Sequence, residues 1–200
     1  MAKAYMIKYK VKMIGDYNHS DYGYQKIFRA IYGYTQNVTK GSGKVYIYHR
    51  PGVLSKTPYI KKGKNEVIVP KECLTPLLDF FKTGENPAHK WTEKGNWSAT
   101  YTLYDIDISE LQAKKAIDKV INSTFIVDDE GNTKRFLSLL EELFSENKVS
   151  SVPLRNTIFS EAKKIQSLEW YNIVSEKTPI IKKFETLIFK YKSTYQTQTN

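Results

Sequence analysis

At 200 residues, with 40% hydrophobic and 14% aromatic side chains, the chain has the size of one domain, or a domain with an annex, and enough apolar residues for a core without staples. One cysteine, Cys73, excludes an intramolecular disulfide, and three histidines, His19, His49 and His89, argue against a Cys/His zinc site. No apolar run approaches the ~18–20 residues of a membrane span, and Lys3, Lys8, Lys10 and Lys12 replace the apolar core of a signal peptide, so a cytoplasmic protein with no membrane partner is expected.

Residues 3–14 alternate as a half-buried strand: Tyr5, Ile7, Tyr9, Val11 and Met13 share one face, while Lys8, Lys10 and Lys12 line the other. A helix is expected from Asp21 to Tyr34, with Ile27, Ala30, Ile31 and Tyr34 inward and Tyr24, Gln25, Lys26, Arg29 and Tyr32 outward. Residues 35–44 read as a loop. Alternation resumes over 44–50, with Val45, Ile47 and His49 on one side and Lys44, Tyr46, Tyr48 and Arg50 on the other.

The stretch 51–64 reads as a long basic loop, carrying Lys56, Tyr59, Lys61, Lys62 and Lys64, and 65–70 as a short apolar strand. Strand, basic loop and strand together outline a wing. A helix over 71–82 presents Leu74, Leu77, Leu78 and Phe81; Pro76 should start it late or kink it, and Gly84 should stop it. Residues 97–108 form a strand whose apolar phase shifts near Leu103 and Tyr104, as a bulge would make it do. Ser109 and Gln112 form a capping box for the next helix, with Leu111, Ala113, Ile117, Val120 and Ile121 inward.

After an apolar TFIV run and a DDEGN turn the pattern is helical. One stripe joins Phe136, Leu139, Leu140, Leu143 and Phe144. A helix opens at Val152-Pro153 and runs to about Asn172, and another starts at Thr178-Pro179 with Ile180, Phe184, Leu187, Ile188 and Tyr191 inward. The expected fold is therefore α+β: a basic, mainly antiparallel N-terminal sheet with one or two helices over 1–130, a mainly helical part over 131–192, and a frayed tail at 193–200.

The charge is not spread evenly. Residues 1–72 hold fourteen Lys and Arg against Asp16, Asp21, Glu66 and Glu72, so the whole excess of +10 lies in the first third, together with ten of the fifteen tyrosines. A basic segment attracts polyanions by counterion release, and interleaved rings offer bases a stacking surface. The expected activity is non-catalytic nucleic-acid binding, DNA or RNA, through Lys8, Lys10, Lys12, Arg29, Lys44, Tyr46, Tyr48, Arg50, Lys56, Tyr59, Lys61, Lys62 and Lys64. If the two basic strands share a sheet face, these residues form one surface. Two arginines in this region against twelve lysines imply backbone-led binding of modest specificity, since arginine is the better bidentate reader of bases.

Other constellations are weaker. Asp105, Asp107 and Glu110 could share a divalent metal in a nuclease, the alternative reading; as the bland alternative, Glu110 merely satisfies the helix that Ser109 caps. Asp128, Asp129 and Glu130 fail the calcium-loop pattern because Ile126 stands where its first ligand belongs. Asp16, His19 and Asp21 look like an ordinary turn, and Trp91 and Trp97 flank a Gly95-Asn96 turn. Gly41-Ser42-Gly43-Lys44 lacks the first glycine and the Ser/Thr of a nucleotide-binding loop, and no sequence neighbour marks Cys73 as a nucleophile, so neither a cofactor nor a catalytic residue is assigned. A homodimer through the C-terminal helices, or membership of a nucleoprotein complex as a structural subunit, completes the expected partners.

Overall fold

The computed structural model describes residues 1–15, 20–41, 43–86, 96–146 and 149–196. Asp16, His19, Ser42, Trp91, Gly95 and the tail from 197 on lie outside the described residues, and so do the readings that rest on them. The fold is α+β, with an antiparallel N-terminal sheet followed by helices, and the chain divides into two compact units. One comprises Lys3–Asp107, the other Ile108–Asn200 with Met1–Ala2, so the division falls well before residue 130. The reason is that the helix after Ser109 packs on the later helices.

The first unit contains β1 (Ala2–Met13), α1 (Tyr22–Tyr32), β2 (Tyr34–Thr39), β3 (Val45–Arg50), β4 (Ile60–Gly63), β5 (Glu66–Val69), α2 (Lys71–Thr83) and β6 (Trp97–Ile108), whose last residue belongs to the second unit. Four strands form one sheet in the order β4-β5-β1-β6. β5 runs antiparallel to both β1 and β4. β6 runs against β1 as well, since Ile14 N–H donates to the Asn96 carbonyl at one end and Lys3 meets Asp107 at the other.

The alternation read from β1 decides which face is covered. Tyr5 and Ile7 stand opposite Val69 and Val67, and this face joins Ile27, Ala30 and Ile31 of α1 and Cys73, Leu77, Phe80 and Phe81 of α2 in one buried core. Cys73 is thus a small buried hydrophobe. Tyr24 and Tyr32, expected outward, both turn toward this core: Tyr24 is buried, and the Tyr32 hydroxyl meets that of Tyr9 at 2.9 Å. Burial pushes the hydroxyls of Tyr9 and Tyr32 above the ordinary tyrosine range. A tyrosine can bury its ring and still satisfy its hydroxyl, which is why helical spacing alone misplaced both.

α1 ends at Tyr32, so Tyr34 lies in a strand rather than on the helix. α2 starts at Lys71 and continues through Pro76, so of the late start and the kink expected as alternatives the late start does not occur, and it ends at Gly84, whose φ of 75° is left-handed and whose N–H returns to the Phe80 carbonyl at 2.8 Å. The wing does not form. β3 pairs with β2, not with β5, and the stretch expected as one long loop contains β4 and a turn that reaches back to α1. The phase change along β6 marks a strand with two allegiances: Trp97 and Ala99 join the first unit's core, and buried Ile108 belongs to the second unit.

The second unit contains α3 (Glu110–Ser123), β7 (Phe125–Val127), β8 (Thr133–Arg135), α4 (Phe136–Ser145), α5 (Val152–Gln166), α6 (Glu169–Asn172) and α7 (Pro179–Gln196). The Ser109/Gln112 capping box is present, with both reciprocal hydrogen bonds. Leu111 proves exposed, and Ala116 takes its place in the buried stripe with Ala113, Ile117, Val120 and Ile121. The DDEGN segment is the β7–β8 turn, where one Asp128 carboxylate oxygen accepts from the N–H groups of Glu130 and Asn132. The helix expected to reach Asn172 breaks at Ser167, and α7 buries Ile181 rather than Ile180, together with Phe184, Ile188 and Tyr191. α7 also continues through 193–196, expected as tail. Among the described residues, no helix is long and apolar enough to cross a membrane.

Candidate nucleic-acid interface

β2 and β3 form a separate two-stranded antiparallel ribbon. Such a ribbon is marginal by itself, so its base must be fixed by the rest of the fold. Two glycines do this. Gly33 takes φ 73°, ψ 171°, a conformation open essentially to glycine alone, where α1 turns into β2. Gly52, where β3 leaves, lies so close to the backbone at Gly33, Ala30 and Ile31 that no Cβ fits. Val53 and Leu54 then donate to the last carbonyls of α1, at Ala30 and Ile31, at 2.8 and 2.9 Å, and the Ser55 hydroxyl accepts from Gly52 N–H at 2.7 Å. Both legs of the ribbon are pinned to the end of one helix.

The register sorts the side chains into two faces. Tyr34, Gln36 and Val38 stand opposite Arg50, Tyr48 and Tyr46, and Lys40 and Lys44 follow at the tip, where Lys40 N–H donates to the Lys44 carbonyl at 3.1 Å. On this face every ring has a cation over it. Lys40 and Lys44 lie 4.5 and 5.3 Å from the Tyr46 centroid, Arg50 5.4 Å from Tyr48, and Arg29 of α1 5.0 Å from Tyr34 and 5.7 Å from Tyr22. The reverse face carries Thr35, Asn37 and Thr39 opposite His49, Ile47 and Val45, with Ile47 59% and Val45 54% exposed. From Tyr22 to Asn65 the chain has nine Lys and Arg and not one Asp or Glu.

β3 is not in the sheet of β1, so the two basic strands do not share a sheet face. Arg29, Lys44, Tyr46, Tyr48 and Arg50 gather on the ribbon face. Lys8, Lys10 and Lys12 stay exposed on the side of β1 away from the core, and Lys8 is tied to Glu66 at 3.1 Å, which raises its pKa. Lys61 lies 4.8 Å over Tyr32, whose ring packs on Tyr59, and Lys64 lies 5.9 Å over Tyr24, so these two cations mark the two ends of α1. Lys62 occupies the irregularity between Lys61 and Gly63 in β4, and Lys56 is exposed in the turn after β3. Sequence reasoning missed Tyr22, Tyr34, Gln36, Val38 and Lys40. The only trace in the sequence is that residues 34–39 alternate Tyr, Gln and Val against Thr, Asn and Thr, without the apolar face that marks a half-buried strand.

Two of the three carboxylates considered for a metal, Asp107 and Glu110, are otherwise engaged. Asp107 pairs with Lys3 at 3.3 Å. Glu110 accepts from the Ser175 hydroxyl at 2.8 Å, the Ser175 N–H at 2.9 Å and the Glu176 N–H at 3.2 Å, and it meets Lys114 at 3.4 Å. It is a clasp between α3 and the loop before α7. Among the described residues, no three His, Cys, Asp or Glu side chains gather as a metal would require. The Ser175 hydroxyl, then the Glu176 N–H, hold the Glu110 carboxyl down to about 2. A carboxylate with a lowered folded-state pKa contributes stability in full above its ordinary value of ~4.3, and loses that contribution as pH falls toward about 2. Glu110→Gln should therefore flatten the loss of helical circular dichroism across that acid window. An acid profile identical to wild type would show that the clasp carries no such linkage.

No protein-family model matches the sequence, and neither a curated protein nor a solved structure is similar to it.

Proposed function

We propose that the protein binds nucleic acid without altering it, and that the β2–β3 ribbon is the contact surface. One observation carries this: a ribbon face of tyrosines, each under a lysine or arginine, lies within a stretch from Tyr22 to Asn65 that has no carboxylate. Cations in such a setting have no fixed counter-charge in the local sequence, and a phosphate backbone would supply one while releasing condensed ions. The first unit as a whole has 17 Lys and Arg against 9 Asp and Glu, which adds a long-range attraction for the same ligand.

Fluorescence anisotropy with labelled nucleic acid across a salt series tests the proposal. Wild type should lose affinity steeply with salt. Lys40→Ala/Lys44→Ala/Arg50→Ala should reduce the slope of log K against log salt by about 2 to 3, three phosphate contacts at ~0.7–0.9 each. Traces that ignore salt, or an unchanged slope in the triple variant, would remove the ribbon from the interface.

The reverse face favours a second reading, a structural subunit of a nucleoprotein complex. Ile47 and Val45, more than half exposed on the side away from the cations, give a protein neighbour something to cover while nucleic acid occupies the other face.

A further inference from the structure

Resting on the nucleic-acid reading above, we infer that the ligand of this ribbon is a single strand, taken up by base stacking on a ladder of three tyrosines. The register places one tyrosine on each of three successive same-face rungs: Tyr34 opposite Arg50, Tyr48 opposite Gln36, Tyr46 opposite Val38. Same-face rungs of a strand pair repeat every two residues, ~6.8 Å. Two stacked layers of ~3.4 Å fill that interval, so a base can take the place of the cation over each ring without competing for its neighbour's, the displaced head turning to a phosphate. The ladder ends at the tip in Lys40 and Lys44 and at the base in Arg29 and Arg50, so charge for the phosphates is present along its whole length.

The same geometry disfavours a duplex. Reading a groove requires arginine, lysine or amide groups extended toward base edges, as far as the groove floor. Here the heads of Arg29, Arg50, Lys40 and Lys44 are drawn back over rings at 4.5–5.4 Å rather than extended away from the face. On the reverse face, which is free of Lys and Arg, Thr35 is engaged with His49 at 3.1 Å. A paired, stacked base shows a side chain only its edge, whereas an unpaired base offers its π-face, the element that tyrosine uses.

The test uses the full chain, labelled oligothymidylates of increasing length, and a duplex of matched phosphate count at one fixed salt concentration. Affinity for the single strand should climb steeply over about the first three nucleotides and exceed that for the duplex. Tyr46→Leu and Tyr48→Leu should each weaken single-strand binding about 5- to 150-fold, the range of one lost stack, and leave duplex binding nearly unchanged. Tyr46→Phe and Tyr48→Phe should bind as wild type, since stacking needs the ring and not the hydroxyl; they also separate loss of stacking from loss of the ribbon, which circular dichroism monitors. Duplex bound as tightly as single strand, or leucine variants equal to wild type, would overturn the single-strand inference and leave the proposed function standing on its salt slope. Absence of salt-dependent binding to either probe would overturn both.

Discussion

Gly52→Ala should destabilise the first unit by about 3–5 kcal/mol and free the ribbon from its seat. The added methyl would meet backbone on every side: the Gly33 nitrogen, the Ala30 carbonyl oxygen at 2.6 Å and the Ile31 carbonyl carbon at 2.8 Å. None of these is the tip of a flexible side chain, so the segment itself must move. Moving it strains three hydrogen bonds to the end of α1, from Val53, Leu54 and the buried Asn86 amide, which donates to the Ala30 carbonyl at 3.1 Å. Overpacking costs ~1–3 kcal/mol, and each buried polar group left unsatisfied costs a similar amount. Gly33→Ala adds a forbidden backbone conformation to clashes at the Arg50 carbonyl and Gly52 nitrogen, 2.8 and 2.9 Å away, and should be comparably severe. Gly41→Ala is the control. It meets nothing within 4 Å, and should stay within about 0.5 kcal/mol of wild type in a urea titration. Equal midpoints for Gly52→Ala and Gly41→Ala would mean that the junction can give way without cost.

The second large effect is expected at Phe81. Its ring joins α2 to the sheet, 5.1 Å from Tyr9 of β1 and 5.9 Å from Tyr101 of β6, with Phe80 at 6.1 Å, and it is 1% exposed. Truncation to alanine removes a full aromatic side chain from a site walled by two strands and a helix, where little can collapse inward. Phe→Ala changes of this kind cost ~3–5 kcal/mol, a large part of the ~5–15 kcal/mol that holds a domain folded. Phe81→Leu retains most of the apolar volume and should lose clearly less. Urea titrations read by circular dichroism would order the three proteins. A Phe81→Ala midpoint at or above that of Phe81→Leu would contradict this packing account.

The ease of reading each element from sequence follows how locally its structure is determined. The β1 alternation, the Ser109/Gln112 box and the Gly84 stop are decided by neighbours within a few residues, and all three were legible. β2 was not. Both faces of the ribbon meet solvent, so residues 34–39 carry Thr, Gln and Asn where a half-buried strand would show apolar alternation. The partner of β3 was also invisible: its own pattern identified Tyr46, Tyr48 and Arg50 as sharing a side, but strand pairing is not encoded within one strand. Tyr24 and Tyr32 failed for a chemical reason, since a ring with a polar tip satisfies inward and outward patterns alike. As for the lysines, sequence told which side of β1 they take, but not that Glu66 stands beside Lys8.

The absence of Asp and Glu between Tyr22 and Asn65 has a consequence beyond the sign of the charge. Carboxyl groups titrate near pH 4, whereas lysine and arginine remain cationic to about pH 10, and a histidine can only add charge on acidification. The stretch therefore has no acid-side titration of its own that would weaken its positive charge. Acid cannot weaken its pull on a polyanion, which leaves ions in the surrounding solution as the agent that does.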